Sequence, residues 1–468
     1  MKKTLLLSLL AGAAMSNVAL ADDQGVSRDE VRAMVADMLA DADTRSSLLQ
    51  GGGVAGYDKG FVVRSPDGNY SLKINGLVQF RYVANYRNTE GDAGVFRDVD
   101  SSNDTTGDVV RGDDFNGAFQ LRRVNIDFSG NLINSDLTYR VQLQQAASGK
   151  STIDRTSATN PVQRNPSSTG SSIYTTDTWA EYNLGQGFKI RGGQYKVNFL
   201  KEELNSTGNT LAAERGIVNA YLGQGYSQAV GLSWAINDTL DFYLDFGNGF
   251  GTGGTSGTPK DTAEYALTSR INWVIEGSKA DLAEYTSRPG SATSAQIGAA
   301  AHYQETERGA GTIGPPATPV FPNTKFFAAT ADGQIKGGGF GLFVAGVGQF
   351  VDSPIGNTSI YGVTAQGSWR WDEAPEVFVK YDGIYTSNDL FRPENYNFIT
   401  FGFNNYFAGQ AAKLTIDTVV ALNATQASIK SATGENGALP GLLNAGTGLN
   451  GSGKAGEVAV RAQFQLLF

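Results

Sequence analysis

The chain contains no cysteine, so neither a disulfide framework nor a thiolate metal site is available to it. It contains one histidine, His302, which removes paired-histidine metal sites and leaves little room for imidazole acid–base catalysis. On its own, that histidine reads as a polar wall residue on a strand. After the first twenty residues no run of about 18 apolar residues remains, so membrane-spanning helices are excluded. Positive charge is also scarce. With 37 basic against 46 acidic side chains the formal net charge is −9, which argues against nucleic acid as a partner. No cofactor is implied, and no metal site is assigned. An acidic stretch with Asp98, Asp100, Asp104 and Asp108 reads as a solvated loop rather than a calcium site.

What the chain does contain begins with an export signature. Lys2 and Lys3 precede an apolar run from Leu5 to Leu10, and Ala19-Leu20-Ala21 offers a small-x-small cleavage site. Residues 1–21 therefore read as a signal peptide, with the mature chain starting at Asp22. Residues 22–53 form a second segment. Ser27 is a plausible cap before Asp29 and Glu30, and Val31, Val35, Met38 and Ala42 follow at helical spacing. This short N-terminal periplasmic helix reads equally as a spacer or plug and as a short coiled coil between protomers. Gly51-Gly52-Gly53 ends it.

From about Ser71 the apolar period becomes two and stays there. Leu72, Ile74, Val78, Phe80 and Tyr82 face one way, and Lys73, Asn75, Gln79 and Arg81 the other. Val124, Ile126 and Phe128 alternate in the same manner with Arg123, Asn125 and Asp127, and Leu240, Phe242, Leu244 and Phe246 with Asp241, Tyr243 and Asp245. The chain ends on Ala462-Gln463-Phe464-Gln465-Leu466-Leu467-Phe468, an alternating strand closed by an aromatic residue. Gly192-Gly193 breaks the alternation, and a glycine bulge there would turn Tyr195, Val197 and Phe199 outward.

One alternating strand fits a soluble sandwich as well as a barrel; the links discriminate. Short turns near 133–136, 185–187, 237–239, 372–376 and 409–411 alternate with long polar links near 87–116, 146–172, 200–227, 247–262, 306–323 and 424–456. About 16 strands joined this way make residues 54–468 an all-β, transmembrane antiparallel β-barrel with an apolar outside and a polar lumen. The stretch 277–294 departs from the scheme, being too long for a tight turn.

Seven basic side chains fall on the polar faces of the first five strands: Lys73, Arg81, Arg123, Arg140, Lys189, Arg191 and Lys196. Acidic ones gather later, at Asp241, Asp245, Glu264, Glu276, Asp372 and Asp417. Basic rings or ladders select anions. Pairing of opposite charges across the wall is the competing reading, and the sequence leaves both open.

Leu121-Arg122-Arg123, Gly193-Gln194-Tyr195-Lys196-Val197-Asn198-Phe199, Glu202-Glu203-Leu204 and the closing strand together resemble the phosphate-selective porin O/P family of outer-membrane channels. The resemblance runs from about Ser71 to Phe468 and is densest from Phe119 to Asn248. It implies a 16-stranded barrel in the outer membrane of a Gram-negative bacterium, assembled as a homotrimer in lipid, with the third long loop tucked into the lumen. Lys201, Glu202, Glu203, Glu214 and Arg215 would then lie at or near the constriction. Asn198 stands where the family has proline, and Tyr195 where it has phenylalanine. That loop carries only two basic residues among three acids, so a general, mildly anion-preferring pore for small hydrophilic solutes ranks ahead of a dedicated phosphate or polyphosphate channel. No enzyme motif is present. A surface adhesin and a sugar-specific porin are the further alternatives. The sugar reading would need aromatic side chains on the lumen face, where the alternation places only Trp179 and Tyr243 clearly.

Overall fold

In the computed structural model the described residues are 54–468, apart from 88–95, 98–108, 111–114, 146–172, 250–262, 307–310, 314–317, 321–323, 354–355, 388–390, 393–394, 426–427, 430–445, 451 and 453. The expected signal peptide, the 22–53 helix and the acidic stretch from Asp98 to Asp108 lie outside them, as do most of the long outer links.

Sixteen strands form one closed antiparallel barrel. They are β1 (Ser71–Tyr86), β2 (Phe115–Asn131), β3 (Leu137–Gln145), β4 (Ile173–Gly185), β5 (Phe188–Lys196), β6 (Tyr226–Ala235), β7 (Leu240–Gly247) and β8 (Tyr265–Glu276). They continue with β9 (Ser294–Thr306), β10 (Thr324–Gly337), β11 (Phe340–Ser353), β12 (Gly356–Arg370), β13 (Pro375–Thr386), β14 (Asn395–Tyr406), β15 (Ala412–Ala421) and β16 (Val458–Leu467). Each pairs with its neighbour in sequence, and β16 closes on β1 in register from Val458↔Tyr86 to Leu467↔Leu77. A barrel leaves no open edge, which is why strands this apolar need no partner sheet. The last residue completes the seam: Phe468 and Gly76 exchange two backbone hydrogen bonds, of 2.8 and 3.1 Å. A Cβ on Gly76 would stand 2.1 Å from the Phe468 ring, so only glycine fits under it.

The outer face carries the apolar half of each alternation, with Phe80, Ile271, Val363, Ile416 and Phe464 all exposed. Aromatic pairs mark both rims. Phe188–Trp234 and Phe340–Trp369 lie at the short-turn end, and Tyr265–Tyr303 and Phe350–Tyr361 toward the long-loop end. Such girdles suit the two membrane interfaces.

Two local features differ from the sequence expectation. Pairing of β5 with β6 runs unbroken from Lys196 to Phe188, so there is no bulge at Gly192-Gly193. Tyr195, Val197 and Phe199 point inward and are buried. Gly193 instead serves a close approach: its φ is +139°, and a Cβ would stand 2.3 Å from the Thr178 carbonyl oxygen. The real bulges lie elsewhere. One falls between Gln79↔Arg123 and Phe80↔Leu121, where Arg122 is the extra residue. A second falls between Val141↔Thr178 and Leu143↔Thr175, where Thr176 and Asp177 together oppose Gln142, and further register shifts lie at Asn183/Gly185 in β4 and at Val274/Glu276 in β8. A bulge re-aims side chains, so Arg122 and Arg123 both reach the lumen.

Two connections fold into the barrel. The link between β5 and β6 carries helices α1 (Lys201–Leu204) and α2 (Ile217–Leu222). Phe199, Leu200, Ile217, Val218, Tyr221 and Leu222 pack on the inward faces of β9 to β16, against Phe326, Ala328, Val347, Ile384 and Phe398 among others. The over-long stretch 277–293 enters from the short-turn end. Its Leu282 and Tyr285 are buried, and Tyr285 joins Leu211, Ala212, Phe343 and Phe378 in a second apolar cluster. Among the described residues these two segments pack into the lumen on the β9 to β16 side, and a polar cavity lies along β1 to β6.

Candidate functional site: a polar cavity between the folded-in loop and the β1–β6 wall

The loop spanning residues 197–225 is held by polar tethers to several strands of the barrel wall. On the β1–β2 side Glu214 takes the guanidinium of Arg81 at 2.9 Å, that of Arg123 at 2.6 Å, and that of Arg122. Glu214 is 3 % exposed. Burial alone would raise its pKa, but Arg122, Arg123 and Arg81 outweigh that and hold the carboxyl well below the usual carboxylate range. Across the closing seam, on β15, Asp417 accepts from the Ala213 N–H at 2.8 Å, and Lys413 donates to the Thr210 carbonyl at 2.7 Å. Glu202 pairs with Lys380 and accepts from the Gly216 N–H at 2.9 Å. Glu203 accepts from the Gln224 and Gly225 N–H groups at 3.0 and 2.9 Å, closing the base of the loop.

These contacts give the expected constriction residues distinct places. Glu202, Glu203 and Glu214 are buried anchors. Lys201 turns toward the 277–293 insert, where its ammonium donates to the Leu282 carbonyl at 3.4 Å. Burial and the nearby Arg270 pull its pKa down to about 8 against the opposing pull of Asp332. Arg215 alone points its charge at the open space. Its Nε donates to the Glu202 carbonyl at 2.9 Å, and its terminal nitrogen to the Asn205 carbonyl at 2.5 Å.

That space is a cavity of about 600 Å³ between the loop and the wall. Of the expected basic row, Arg123, Arg140, Arg191 and Lys196 border it, while Lys73, Arg81 and Lys189 do not. Lys73 sits at the short-turn end, 3.8 Å from Asp58. Arg81 is spent on Glu214, and Lys189 lies 3.3 Å from Glu181. Arg140 bonds Asp127 at 2.7 Å, and Arg191 bonds Glu181 at 2.9 and 2.5 Å. Lys196 differs: its ammonium donates to the main-chain carbonyl of Glu203 at 3.0 Å.

Lumen-facing aromatics are more numerous than the alternation predicts. Tyr174, Tyr195 and Tyr226 border the cavity together with Trp179. Arg191 stacks over Trp179 at 4.3 Å and faces Tyr195 at 5.3 Å, and Lys196 stands 5.3 Å from the Tyr226 ring. Arg122 and Tyr174 reach the lumen only through bulges, which period-two counting cannot see. The tethers Lys380, Lys413 and Asp417, on β13 and β15, become legible only once the loop is known to fold into the lumen.

The model of the family described as Phosphate-selective porin O and P matches residues 92–304, which include β2 to β8 and the whole folded-in loop. The chain is a porin of the bacterial outer membrane. Its barrel is similar to the outer membrane channel DcaP of Acinetobacter baumannii, with 12% identity, a TM-score of 0.50, and 88% of this chain and 100% of that one covered. It is also similar to an anion-selective porin from Comamonas acidovorans, with 13% identity, a TM-score of 0.50, and 85% of this chain and 100% of that one covered. At these identities the likeness concerns the fold. No curated protein sequence matches it. The porin forms a channel for small solutes and ions.

Proposed function

We propose that this porin is a general diffusion channel for small hydrophilic solutes that prefers anions. Its narrow passage is the cavity between the 197–225 loop and the β1–β6 wall. The observation that carries this reading is the pair Lys196 and Arg215. Both border the cavity, and both hydrogen-bond main-chain carbonyls rather than carboxylates, so their charges stay available to a passing ion. Arg140 and Arg191 continue the basic surface, each sharing part of its charge with an acid. Rows of fixed cations in a low-dielectric passage raise the local anion concentration.

A dedicated phosphate channel is the second reading, and the loop's chemistry disfavours it. Of its cations Lys201 faces the 277–293 insert, which leaves Arg215 alone on the passage. Assembly as a homotrimer belongs to the same proposal, and the mass of the detergent-solubilised protein tests it.

The selectivity test is the reversal potential across a planar bilayer under a potassium chloride gradient. The expected sign is that of chloride, displaced toward potassium in Lys196→Gln and restored in Lys196→Arg. A cation-selective wild type, or a Lys196→Gln variant with unchanged potential, refutes the reading.

A further inference from the structure

The cavity joins two chemistries that a channel for inorganic ions does not need in one place. Lys196 and Arg215 supply positive charge, while Tyr174, Trp179, Tyr226 and the aliphatic Leu77, Leu204 and Leu467 supply apolar surface within the same 600 Å³. The aromatic groups are not merely wall filler. Tyr174 is 44% exposed, and Trp179 is only partly buried behind Arg191. Tyr226 is held in place from both sides. Its hydroxyl donates to Asp177 at 3.4 Å, while Lys196 stands over its ring.

A bare phosphate or chloride gains from the cations and nothing from the rings. A carboxylate carrying a planar or apolar body gains from both: its charged end meets Lys196 and Arg215, and its body removes the ring faces and leucines from water. A cavity of this volume also matches the size that encloses a small organic molecule rather than a lone ion.

We propose that the cavity is a binding site for small organic carboxylates with an aromatic or otherwise apolar body, which the channel prefers over inorganic anions. This deepens the anion-channel reading above and rests on it. The carboxylate pairs with Lys196 and Arg215, and the ring lies against Tyr174, Trp179 and Tyr226. The site works as a relay: binding concentrates such solutes at the narrow passage.

The test uses the full-length porin in a planar bilayer, with chloride current titrated separately by benzoate, acetate and phosphate. Benzoate is expected to half-block the current at a concentration at least about tenfold below that of acetate, the ratio that 1.4 kcal/mol of ring burial gives. Phosphate is expected to require more than benzoate as well. Tyr174→Ser, at an exposed position, is expected to narrow the gap between benzoate and acetate. Equal potency of benzoate and acetate, or stronger block by phosphate, overturns the proposal while leaving an anion channel in place. The reversal potential recorded on the same channels separates the two readings, because a cation-selective current removes the anion-channel reading itself.

Discussion

Replacing Glu214 by Gln removes one negative charge from among three guanidiniums while keeping the side chain's size. In the wild type that carboxylate holds Arg81 at 2.9 Å, Arg123 at 2.6 Å and Arg122, with all four groups largely withdrawn from solvent. Removing one partner of a buried ion pair leaves uncompensated charge and typically costs about 3–5 kcal/mol. The barrel keeps its strand ladder, so the cost falls on the loop, whose remaining tethers include Ala213–Asp417, Thr210–Lys413 and Glu202–Lys380. About 3 kcal/mol of local destabilisation corresponds to roughly a hundredfold rise in the open fraction of the segment around Glu214. Amide hydrogen exchange of the porin in detergent reads this directly, with faster exchange in peptides covering residues 205–216 and no change in β9 to β14. Single-channel records should become noisier, and the freed Arg123 should push the reversal potential further toward chloride. Glu214→Asp, which keeps the charge, should recover part of the protection. Exchange in 205–216 that equals wild type would refute the claim that this carboxylate pins the loop. The tether should also survive acid. A carboxylate whose folded pKa is depressed contributes stability above its unfolded pKa and loses it only as pH falls through the folded value.

Other perturbations probe other parts of the account. Lys201 has a folded pKa of about 8 against an ordinary 10.5, so the unfolded chain binds more protons between these values and stability rises with pH across them. Unfolding in urea at pH 8 and pH 10 should show that rise, and Lys201→Met should lack it. Gly76→Val forces a side chain into the Phe468 ring and should cost about 1–3 kcal/mol at the closing seam. Its barrel should lose its compact electrophoretic mobility at a lower temperature than wild type, and an unchanged temperature would contradict that packing. Tyr285→Ala removes a side chain that is 3% exposed and whose ring lies tilted against Phe343, with the centroids 4.9 Å apart. It should loosen the 277–293 insert by about 3–5 kcal/mol and raise single-channel conductance. Conductance equal to wild type would show that the insert blocks nothing.

The barrel was readable because its physics is local. Period-two alternation puts Leu72, Phe80 and Phe464 outside and Gln79, Arg81 and Gln465 inside, and glycine-, asparagine- and aspartate-bearing turns end each hairpin. The candidate site was readable only in part, because its geometry depends on contacts far apart in sequence. Arg122 reaches Glu214 through one extra residue in β2, and the bulge in β4 turns Tyr174 into the lumen. The packing on β9 to β16 had a signal that went unused. In Lys325-Phe326-Phe327-Ala328-Ala329 both faces of β10 are apolar, and an inward Phe326 that is 5% exposed needs something packed on it. Read for both faces, β10 and β11 would have announced that a segment folds into the lumen. The glycine pair at 192–193 misled because a missing side chain marks a close approach between strands as readily as it marks a bulge.

On the proposed reading solutes pass along β1 to β6, past the loop and insert that pack on β9 to β16. The absence of native cysteine makes single introduced thiols a clean reporter. Ser206→Cys and Gln144→Cys place a thiol on the cavity, and Ala328→Cys places one in the cluster packed on β9 to β16. A negatively charged methanethiosulfonate reagent, added while current is recorded across a planar bilayer, should reduce conductance at Ser206→Cys and Gln144→Cys and leave Ala328→Cys unaffected. Rapid block at Ala328→Cys, with no effect at the other two, would place the passage on the wrong side of the barrel.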